Sequence, residues 1–259
     1  MNDDVKLSKD KWEKIHSQAQ KSGYKNDPTV LSYKKFLGQY RKYFKSGTFL
    51  DLGCGVAYVS ALLAKEGVSI LGIDISSNAI KQSRDLFKKE KLKGDFIQGD
   101  LLNLSLSDND VSFIYSCMSL EYVKDTQKAI DEAYRVLKPK GLMIAIVPVI
   151  SLTTLTYHQL RGDIPNLPIV KQLFEWLHIT VLKGKYMHYG YEQSFTPGLL
   201  KKLFTNAGFR VSKLGYFGMH YPVTFIPKIV RPYFQKLLKY RPFWPLVYVE
   251  VSKEGRDIE

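Results

Sequence analysis

Apolar positions follow two alternating patterns in the middle of the chain. Short runs rich in apolar residues alternate with longer stretches in which apolar positions recur every three or four residues, as on one face of a helix. The short runs predict strands at 48–52, 69–73, 94–98, 111–116 and 142–149. The longer stretches predict helices at 56–65, 78–90 and 126–137. Apolar strands separated by helices favour a parallel sheet with helices on both faces.

The flanking segments complete one α/β domain. Asp27-Pro28 predicts a helix start, with the Asp side chain as N-cap and Pro in the first turn. The alternation stops after the strand at 142–149 and resumes with a helix at 196–206, a strand at 209–214 and a last strand at 246–251. The predicted organisation is an N-terminal helical cap, a core, an insert with two helices and a C-terminal part of the sheet, at 1–45, 46–150, 151–192 and 193–259.

The composition excludes several classes of protein. Hydrophobic residues make up 45% of the 259 residues and charged residues 24%, as in folded domains and unlike disordered chains. The longest apolar run, 142–150, is far shorter than the roughly 18 residues that cross a membrane. The first residues lack the apolar region of a signal peptide, and two cysteines make no disulfide framework. These features predict a cytoplasmic protein.

The positive charge is unevenly distributed. The net charge is +13, yet residues 46–150 are close to neutral, while 193–249 contain nine lysines and arginines and no acidic residue. Within 217–245 the basic residues stand beside aromatic and aliphatic ones, which suits an anionic membrane surface or single-stranded nucleic acid. The aliphatic residues favour peripheral membrane contact through 217–245 over nucleic acid.

A glycine turn between a strand and a helix carries the clearest chemical signal. Gly53-Cys54-Gly55 allows close backbone approach to a ligand, and Asp74 follows 21 residues after Gly53, where a carboxylate can bind ribose hydroxyls. A dinucleotide is disfavoured because Tyr58 stands where its third glycine belongs, and because Asp51 precedes the loop. A cationic nucleoside such as S-adenosylmethionine suits the site better, with Asp100 available to the adenine amino group.

Four stretches in this order, FLDLGCG, GIDIS, FIQGDL and RVLKPKGLMIAIVP, resemble class I S-adenosylmethionine-dependent methyltransferases. A later stretch, FTPGLLKKLFTNAGF, resembles the same group, which includes the ubiquinone and menaquinone methylases. The resemblance implies a doubly wound, Rossmann-like sheet of seven strands, mostly parallel with an antiparallel last strand.

The resemblance also implies S-adenosylmethionine as cofactor, with S-adenosylhomocysteine as product, and no metal ion. It places cofactor contacts at the ends of the first four strands. The implied cofactor-binding residues are Asp51, Gly53, Cys54, Gly55, Asp74, Ile75, Asp100, Leu101, Ser116 and Cys117.

The catalytic residues are less well defined, because methyl transfer from a sulfonium depends mainly on alignment of nucleophile and methyl group. Many quinone methylases have Leu-Glu-His-Val after the fourth strand, where this chain has Leu-Glu-Tyr-Val. Glu121 in that motif is a candidate base. His188, in an aromatic stretch of the insert that resembles a substrate lid, is the second candidate and is favoured over the other four histidines.

The predicted function is methyl transfer to oxygen or carbon of a small or lipid-like acceptor, anionic or carried on an anionic membrane surface. Two alternatives stay open: an RNA methyltransferase that uses its basic flanks, and a non-catalytic S-adenosylmethionine-binding module.

Overall fold

A seven-stranded sheet forms the centre of the molecule in the computed structural model, which describes residues 3–17, 23–149, 195–217, 229–237, 240–243 and 246–254. The strands are β1 (Thr48–Leu52), β2 (Ser69–Asp74), β3 (Asp95–Gln98), β4 (Val111–Cys117), β5 (Leu137–Pro148), β6 (Arg210–Tyr216) and β7 (Leu246–Ser252). Their order is β3-β2-β1-β4-β5-β7-β6. The first five run parallel, whereas β7 is antiparallel to both neighbours, so the predicted fold class is confirmed.

Helices pack on both faces of this sheet. They are α1 (Asp3–Ser17), α2 (Pro28–Gly38), α3 (Arg41–Phe44), α4 (Tyr58–Ala64), α5 (Ser77–Lys89), α6 (Thr126–Val136), α7 (Pro197–Asn206) and α8 (Arg231–Leu237). The predicted start of α2 is confirmed, since the Asp27 carboxylate accepts hydrogen bonds from the Thr29 and Val30 backbone N–H groups. Among the described residues, no helix is long and apolar enough to cross a membrane.

The core divides between the two faces because successive strand residues point in opposite directions. Phe49 and Phe113 pack in one buried cluster with side chains of α2 to α5. Their neighbours Leu50 and Ile114 pack in a second cluster with α6 and α7. Phe49 and Phe113 stack with ring centroids 5.2 Å apart, which joins β1 to β4 on the face that carries the N-terminal helices.

Most predicted boundaries agree to within one residue, but the starts of two elements differ by more. The helix predicted from residue 56 begins at Tyr58, because the preceding turn ends in Ala57 with a left-handed φ of 55°. The strand predicted from residue 142 begins at Leu137, which pairs with Val111 across the neighbouring strand. A turn conformation sets the first boundary and strand pairing sets the second. Neither can be seen in the local apolar pattern.

The chain leaves the sheet after β5 and re-enters it at a neighbouring position. Val149 and Phe195 form a parallel bridge, and the Phe195 N–H donates to the Pro148 carbonyl at 3.1 Å. The two helices predicted within 151–192 and most of the segment 217–245 lie outside the described residues.

Candidate functional site

A cavity of about 340 Å³ opens at the carboxyl ends of β1, β2 and β4. Strand order reverses between β1 and β4, and ligands of open α/β sheets bind at such a point. The lining residues come from four loops and from α1. They are Trp12, His16, Gly53, Cys54, Gly55, Asp74, Ile75, Asp100, Leu101, Cys117, Met118, Ser119, Tyr122 and Val123.

The glycine turn after β1 forms the floor of this cavity. Gly53 has a φ of 78°, and a Cβ atom added there would lie 2.4 Å from the Cβ of Ser119. The Gly53 and Cys54 N–H groups both donate to the Ile73 carbonyl, at 2.8 and 3.0 Å, which fixes the turn against the end of β2. The residue at position 53 therefore needs both a left-handed backbone and the absence of a side chain.

Asp74 ties the glycine turn to the start of α5. One carboxylate oxygen accepts from the Gly55 N–H at 2.8 Å and the other from the Ser76 N–H at 2.9 Å. Ser76, rather than Asp74, caps α5, because its hydroxyl accepts from the Ala79 N–H. Burial raises the pKa of Asp74, and these backbone hydrogen bonds oppose the increase. Asp74 is thus held in place by the backbone with its remaining lone pairs free for a ligand.

Asp100 lies at the next loop along the sheet edge. Its carboxylate accepts from the Leu102 N–H at 3.0 Å, and its side chain is only partly buried. Ile75 and Leu101 provide apolar walls on either side. A carboxylate beside two apolar walls suits a flat, weakly polar ring that carries a hydrogen-bond donor.

The loop after β4 places its residues differently from the prediction. Cys117 lines the cavity, but Ser116 is fully buried and lies outside the lining, with its hydroxyl 2.6 Å from that of Ser119. Ser119 lines the cavity instead and donates to the Leu52 carbonyl. Ser119 lines the cavity in place of Ser116 because Met118 adopts a left-handed φ of 55°, which turns the chain immediately after β4.

Of the two candidate bases, the structure describes only Glu121, which does not line this cavity. Glu121 is fully buried and absent from the lining, whereas Tyr122 and Val123 belong to it. The single 3₁₀ turn at Leu120–Tyr122 produces this arrangement, since neighbouring residues of such a turn point in different directions. His188 lies outside the described residues.

Helix α1 supplies two cavity residues that the sequence analysis had not selected. Trp12 and His16 stand four residues apart and therefore share a helix face, with ring centroids 5.8 Å apart. Trp12 also meets Tyr122 edge to face at 4.8 Å. Burial lowers the pKa of His16 despite the nearby Asp74, so the ring is neutral near pH 7. The sequence feature that could have identified these two cavity residues is the four-residue spacing of Trp12 and His16 on a highly charged helix.

Glu13 holds α1 in position. Its carboxylate accepts from the Ser77 N–H at 2.7 Å, the Asn78 N–H at 3.1 Å and the Ser76 hydroxyl at 3.1 Å. These groups form the amino-terminal end of α5, where a negative charge is favourable. A side chain of α1 thereby acts as a cap for a helix that is distant in sequence.

Glu13→Ala is expected to lower affinity for a nucleoside ligand of this cavity about three- to tenfold, mainly through faster dissociation. Loss of a capping side chain amounts to about 1 kcal/mol and releases the helix that carries Trp12 and His16. Stopped-flow displacement measures the dissociation rate. The matched control is Asp10→Ala, which removes an exposed carboxylate from the same helix. Equal rates for wild type and Glu13→Ala would contradict this positioning role.

The charges around the cavity favour a cationic ligand. Among the described residues, its lining contains the carboxylates of Asp74 and Asp100 and no lysine or arginine. Asp51 lies behind the glycine turn, is 5% exposed and accepts from the Ser60 hydroxyl at 2.5 Å. Burial raises the pKa of Asp51 to about 7, with Ser60 lowering it and Asp74 raising it. A nearby cation would therefore stabilise the ionised form of Asp51.

Comparison with known proteins supports this interpretation. Residues 50–145 match the family model of the methyltransferase domain. The demethylmenaquinone methyltransferase of Listeria welshimeri is 28% identical over 227 residues, which cover 78% of this chain and 90% of that protein. The malonyl-[acyl-carrier protein] O-methyltransferase of Pectobacterium atrosepticum is 27% identical over 94 residues, 36% of each chain.

Solved structures agree on the fold. An S-adenosylmethionine-dependent methyltransferase from Mesorhizobium loti superposes with a TM-score of 0.61 at 18% identity, covering 89% of this chain and all of that one. One from Methanosarcina mazei gives a TM-score of 0.59 at 20% identity, covering 83% and 97%. At these identities the likeness concerns the fold alone.

The sheet order, the glycine turn and the matches together identify a class I S-adenosylmethionine-dependent methyltransferase, with S-adenosylmethionine as its cofactor. Within that class the chain falls in the menaquinone-methylase-like group, as the sequence motifs predicted. The cavity fits this cofactor, because it combines a side-chain-free backbone turn, two carboxylates and apolar walls.

Proposed function

We propose that this enzyme methylates an oxygen or carbon atom of a small, lipid-like aromatic acceptor, which it meets at an anionic membrane surface. The observation that carries the proposal is an exposed apolar surface on residues 229–237 and Tyr240. The relative from Listeria welshimeri supports it, because its name specifies a demethylmenaquinone, which is a lipid-like quinone.

Five large apolar side chains form this surface, which we call the apolar patch. Ile229 is 82% exposed, Tyr233 is 69% exposed and Tyr240 is 65% exposed, and the others are also exposed. The members of the apolar patch are Ile229, Val230, Tyr233, Leu237 and Tyr240. Large apolar residues clustered at such exposure mark an interaction surface.

The charge beside the apolar patch is positive. Lys236 is exposed, and its Nζ lies 6.0 Å from the centroid of the Tyr233 ring. Basic side chains next to aromatic and aliphatic ones match the interface of a bilayer with anionic headgroups. The combination supports lipid as the partner of the patch.

The triple variant Ile229→Ser/Tyr233→Ser/Lys236→Ser is expected to bind anionic vesicles at least about tenfold more weakly than wild type. The estimate follows from about 1.5–3 kcal/mol per buried apolar side chain and about 1 kcal/mol per lysine. Flotation with vesicles of equal parts phosphatidylglycerol and phosphatidylcholine measures it. The control Leu199→Ser/Lys201→Ser removes an exposed leucine and lysine from α7. Equal flotation of the triple variant and wild type would exclude this surface.

The cofactor contacts follow from the side chains at the cavity. We assign the ribose hydroxyls to Asp74, the adenine amino group to Asp100 and the methionine part to Gly53 and Gly55. Cys54, Cys117, Ile75 and Leu101 complete the walls. When bound, S-adenosylmethionine supplies an activated methyl group on a sulfonium, and S-adenosylhomocysteine remains after transfer. Alignment by these walls is then the main catalytic contribution of the chain.

Asp51 is assigned to the ammonium group of the cofactor, and this assignment predicts a pH dependence. Because the pKa of Asp51 is raised to about 7, the carboxyl becomes ionised as the pH rises through that value. Affinity for S-adenosylhomocysteine is expected to increase between pH 6 and pH 7.5, because Asp51 gains its negative charge over that range while the ligand's amino-acid ammonium group stays cationic.

Calorimetry across this pH range tests the assignment. Asp51→Asn keeps the shape of the side chain and removes its titration, so its affinity should change less with pH than that of wild type. Asp110→Asn, an exposed position, is the matched control and should follow wild type. Parallel pH profiles for Asp51→Asn and wild type would rule out Asp51 as the ammonium partner.

A methyl-transfer screen across quinols, phenols, lipids and RNA discriminates the proposed acceptor from the two alternatives. Transfer to a reduced naphthoquinone that lacks its ring methyl group would support the proposal. Transfer to RNA, with affinity that falls steeply as salt rises, would favour the RNA methyltransferase. Cofactor binding without transfer to any acceptor would favour a binding module.

A further inference from the structure

Helix α1 crosses the opening of the cofactor cavity. On one side, a Cβ atom added at Gly55 would lie 3.6 Å from the Cε1 atom of His16, so the imidazole ring stands over the glycine turn. On the other side, the Trp12 ring meets Tyr122 of the loop after β4 edge to face, with centroids 4.8 Å apart. Both α1 side chains line the cavity. The helix therefore extends across the cavity from the glycine turn to the loop after β4.

The attachment of α1 to the rest of the molecule buries little apolar surface. None of its described side chains, at positions 9, 10 and 12–17, is fully buried, and Ile15 is 38% exposed. By contrast, α2 buries Tyr33 and Leu37 in the core. A helix that buries little apolar surface can leave its position at low cost, because water replaces the polar contacts that it gives up.

The polar contacts of α1 converge on one short stretch of chain at the start of α5, residues 76–82. The Glu13 carboxylate accepts its three hydrogen bonds there. The Asn78 side-chain amide donates to the Glu13 backbone carbonyl at 3.2 Å, and the Gln82 side-chain amide donates to the His16 carbonyl. We call these contacts the latch. Because they lie side by side on one helix, they can open together as a unit.

The latch is connected directly to the carboxylate at the floor of the cavity. Ser76 donates its hydroxyl to Glu13 and its backbone N–H to Asp74. A ligand above Asp74 contacts Trp12 and His16 only while α1 is docked, so it binds the docked arrangement more tightly than the undocked one. Such a difference in affinity shifts the equilibrium towards the docked helix.

We propose that α1 is a lid, here called the α1 lid, which opens to admit the cofactor and closes over it, with the latch holding the closed position. Entry of S-adenosylmethionine and release of S-adenosylhomocysteine then both require the latch to open. The inference rests on the cofactor contacts assigned above and makes no use of the acceptor.

A reversible crosslink across the latch tests the α1 lid. In Glu13→Cys/Asn78→Cys, a disulfide formed by mild oxidation fixes α1 on α5, and reduction releases it. The thiols of Cys54 and Cys117 do not compete, because burial raises the pKa of both and keeps them protonated. The same protein is thus compared with its lid fixed and with its lid free.

The crosslink is expected to slow both directions of ligand exchange. When it is formed around bound S-adenosylhomocysteine, dissociation should be at least about tenfold slower than after reduction, because the ligand leaves only through the open lid. When it is formed in the empty protein, association should be slowed by a similar factor. Stopped-flow mixing and displacement measure the two rates, and mass spectrometry verifies the disulfide.

The matched control is Lys34→Cys/Glu66→Cys. Lys34 and Glu66 form an ion pair, with Nζ and Oε1 2.5 Å apart, that joins α2 to the turn after α4, and neither residue lines the cofactor cavity. This crosslink also joins two helical segments, but it leaves α1 free. Its oxidation should change neither rate.

Amide hydrogen exchange of the wild-type protein gives a second readout that needs no crosslink. With saturating S-adenosylhomocysteine, the amides of α1 are expected to exchange at least about tenfold more slowly than in the free protein, because the closed lid becomes the dominant state. The amides of α7, which contributes no residue to the cavity lining, should exchange at the same rate in both samples.

Two outcomes would overturn the proposal. Equal association and dissociation rates before and after reduction of the latch crosslink would show that the ligand passes without movement of α1. Exchange of the α1 amides that does not respond to S-adenosylhomocysteine would show that the ligand does not favour the docked helix. Both experiments use S-adenosylhomocysteine without an acceptor, so a failure of the proposed function in the acceptor screen is a separate result.

Discussion

Replacing Asp74 by alanine is expected to lower affinity for S-adenosylhomocysteine by at least about 100-fold. The carboxylate lines the cofactor cavity and is held by the Gly55 and Ser76 N–H groups, so in the proposed assignment it presents fixed acceptors to two ribose hydroxyls. Hydrogen bonds to a charged group contribute about 1.5–3 kcal/mol each, and each 1.4 kcal/mol is a factor of ten. Isothermal titration calorimetry measures the loss.

The control for this prediction is Asp85→Ala, which removes an exposed carboxylate from α5. It should bind S-adenosylhomocysteine like wild type. Asp74→Asn retains the size of the side chain and distinguishes loss of ligand contact from collapse of the turn, provided that its melting temperature stays near that of wild type. Retention of wild-type affinity by Asp74→Ala would refute the assigned role.

Gly53→Ala is expected to lower the free energy of unfolding by about 2–5 kcal/mol. A left-handed backbone disfavours an alanine by about 1–2 kcal/mol, and overpacking adds about 1–3 kcal/mol. The added Cβ would lie 2.4 Å from the Cβ of Ser119 and 2.8 Å from its Oγ. The Ser119 side chain cannot easily move, because its hydroxyl is hydrogen-bonded to the Ser116 hydroxyl and to the Leu52 carbonyl. Urea denaturation measures the change.

Gly67→Ala separates the two contributions. Gly67 has a φ of 82°, close to the 78° of Gly53, but no atom of the described residues lies within 4 Å of its added Cβ. Only the backbone contribution of about 1–2 kcal/mol applies there. If the two variants are equally destabilised, the contact with Ser119 has no part in the effect.

The sequence was sufficient for the fold wherever local pattern and tertiary pairing agree. The strand at 48–52 has the predicted bounds, because Phe49, Leu50 and Leu52 are apolar and buried and the glycine turn ends it. The antiparallel last strand followed from the motif resemblance, whereas the strand order was not predicted, since apolar periodicity alone does not order strands. The glycine turn, Asp74 and Asp100 were placed at one cavity because parallel strands bring their carboxyl ends to one edge.

The remainder of the site depends on geometry that no local pattern specifies. Trp12 and His16 lie at the cavity because Glu13 on the same helix hydrogen-bonds to the start of α5. These hydrogen bonds join residues more than sixty positions apart in the sequence. Ser116 and Ser119 exchange roles because Met118 adopts a left-handed conformation. In the same loop, Glu121 is buried, whereas the next residue of the 3₁₀ turn, Tyr122, lines the cavity.

The bridge between Val149 and Phe195 has a consequence for how such an enzyme can diversify. Because the chain departs and returns at adjacent positions, the intervening stretch can be lengthened, shortened or exchanged without changing the register of any strand. The entropy of closing such an excursion grows only slowly with its length. On the sequence-based prediction that this stretch forms a substrate lid, preference for the acceptor can vary with it, while the glycine turn and its carboxylates retain the same methyl donor.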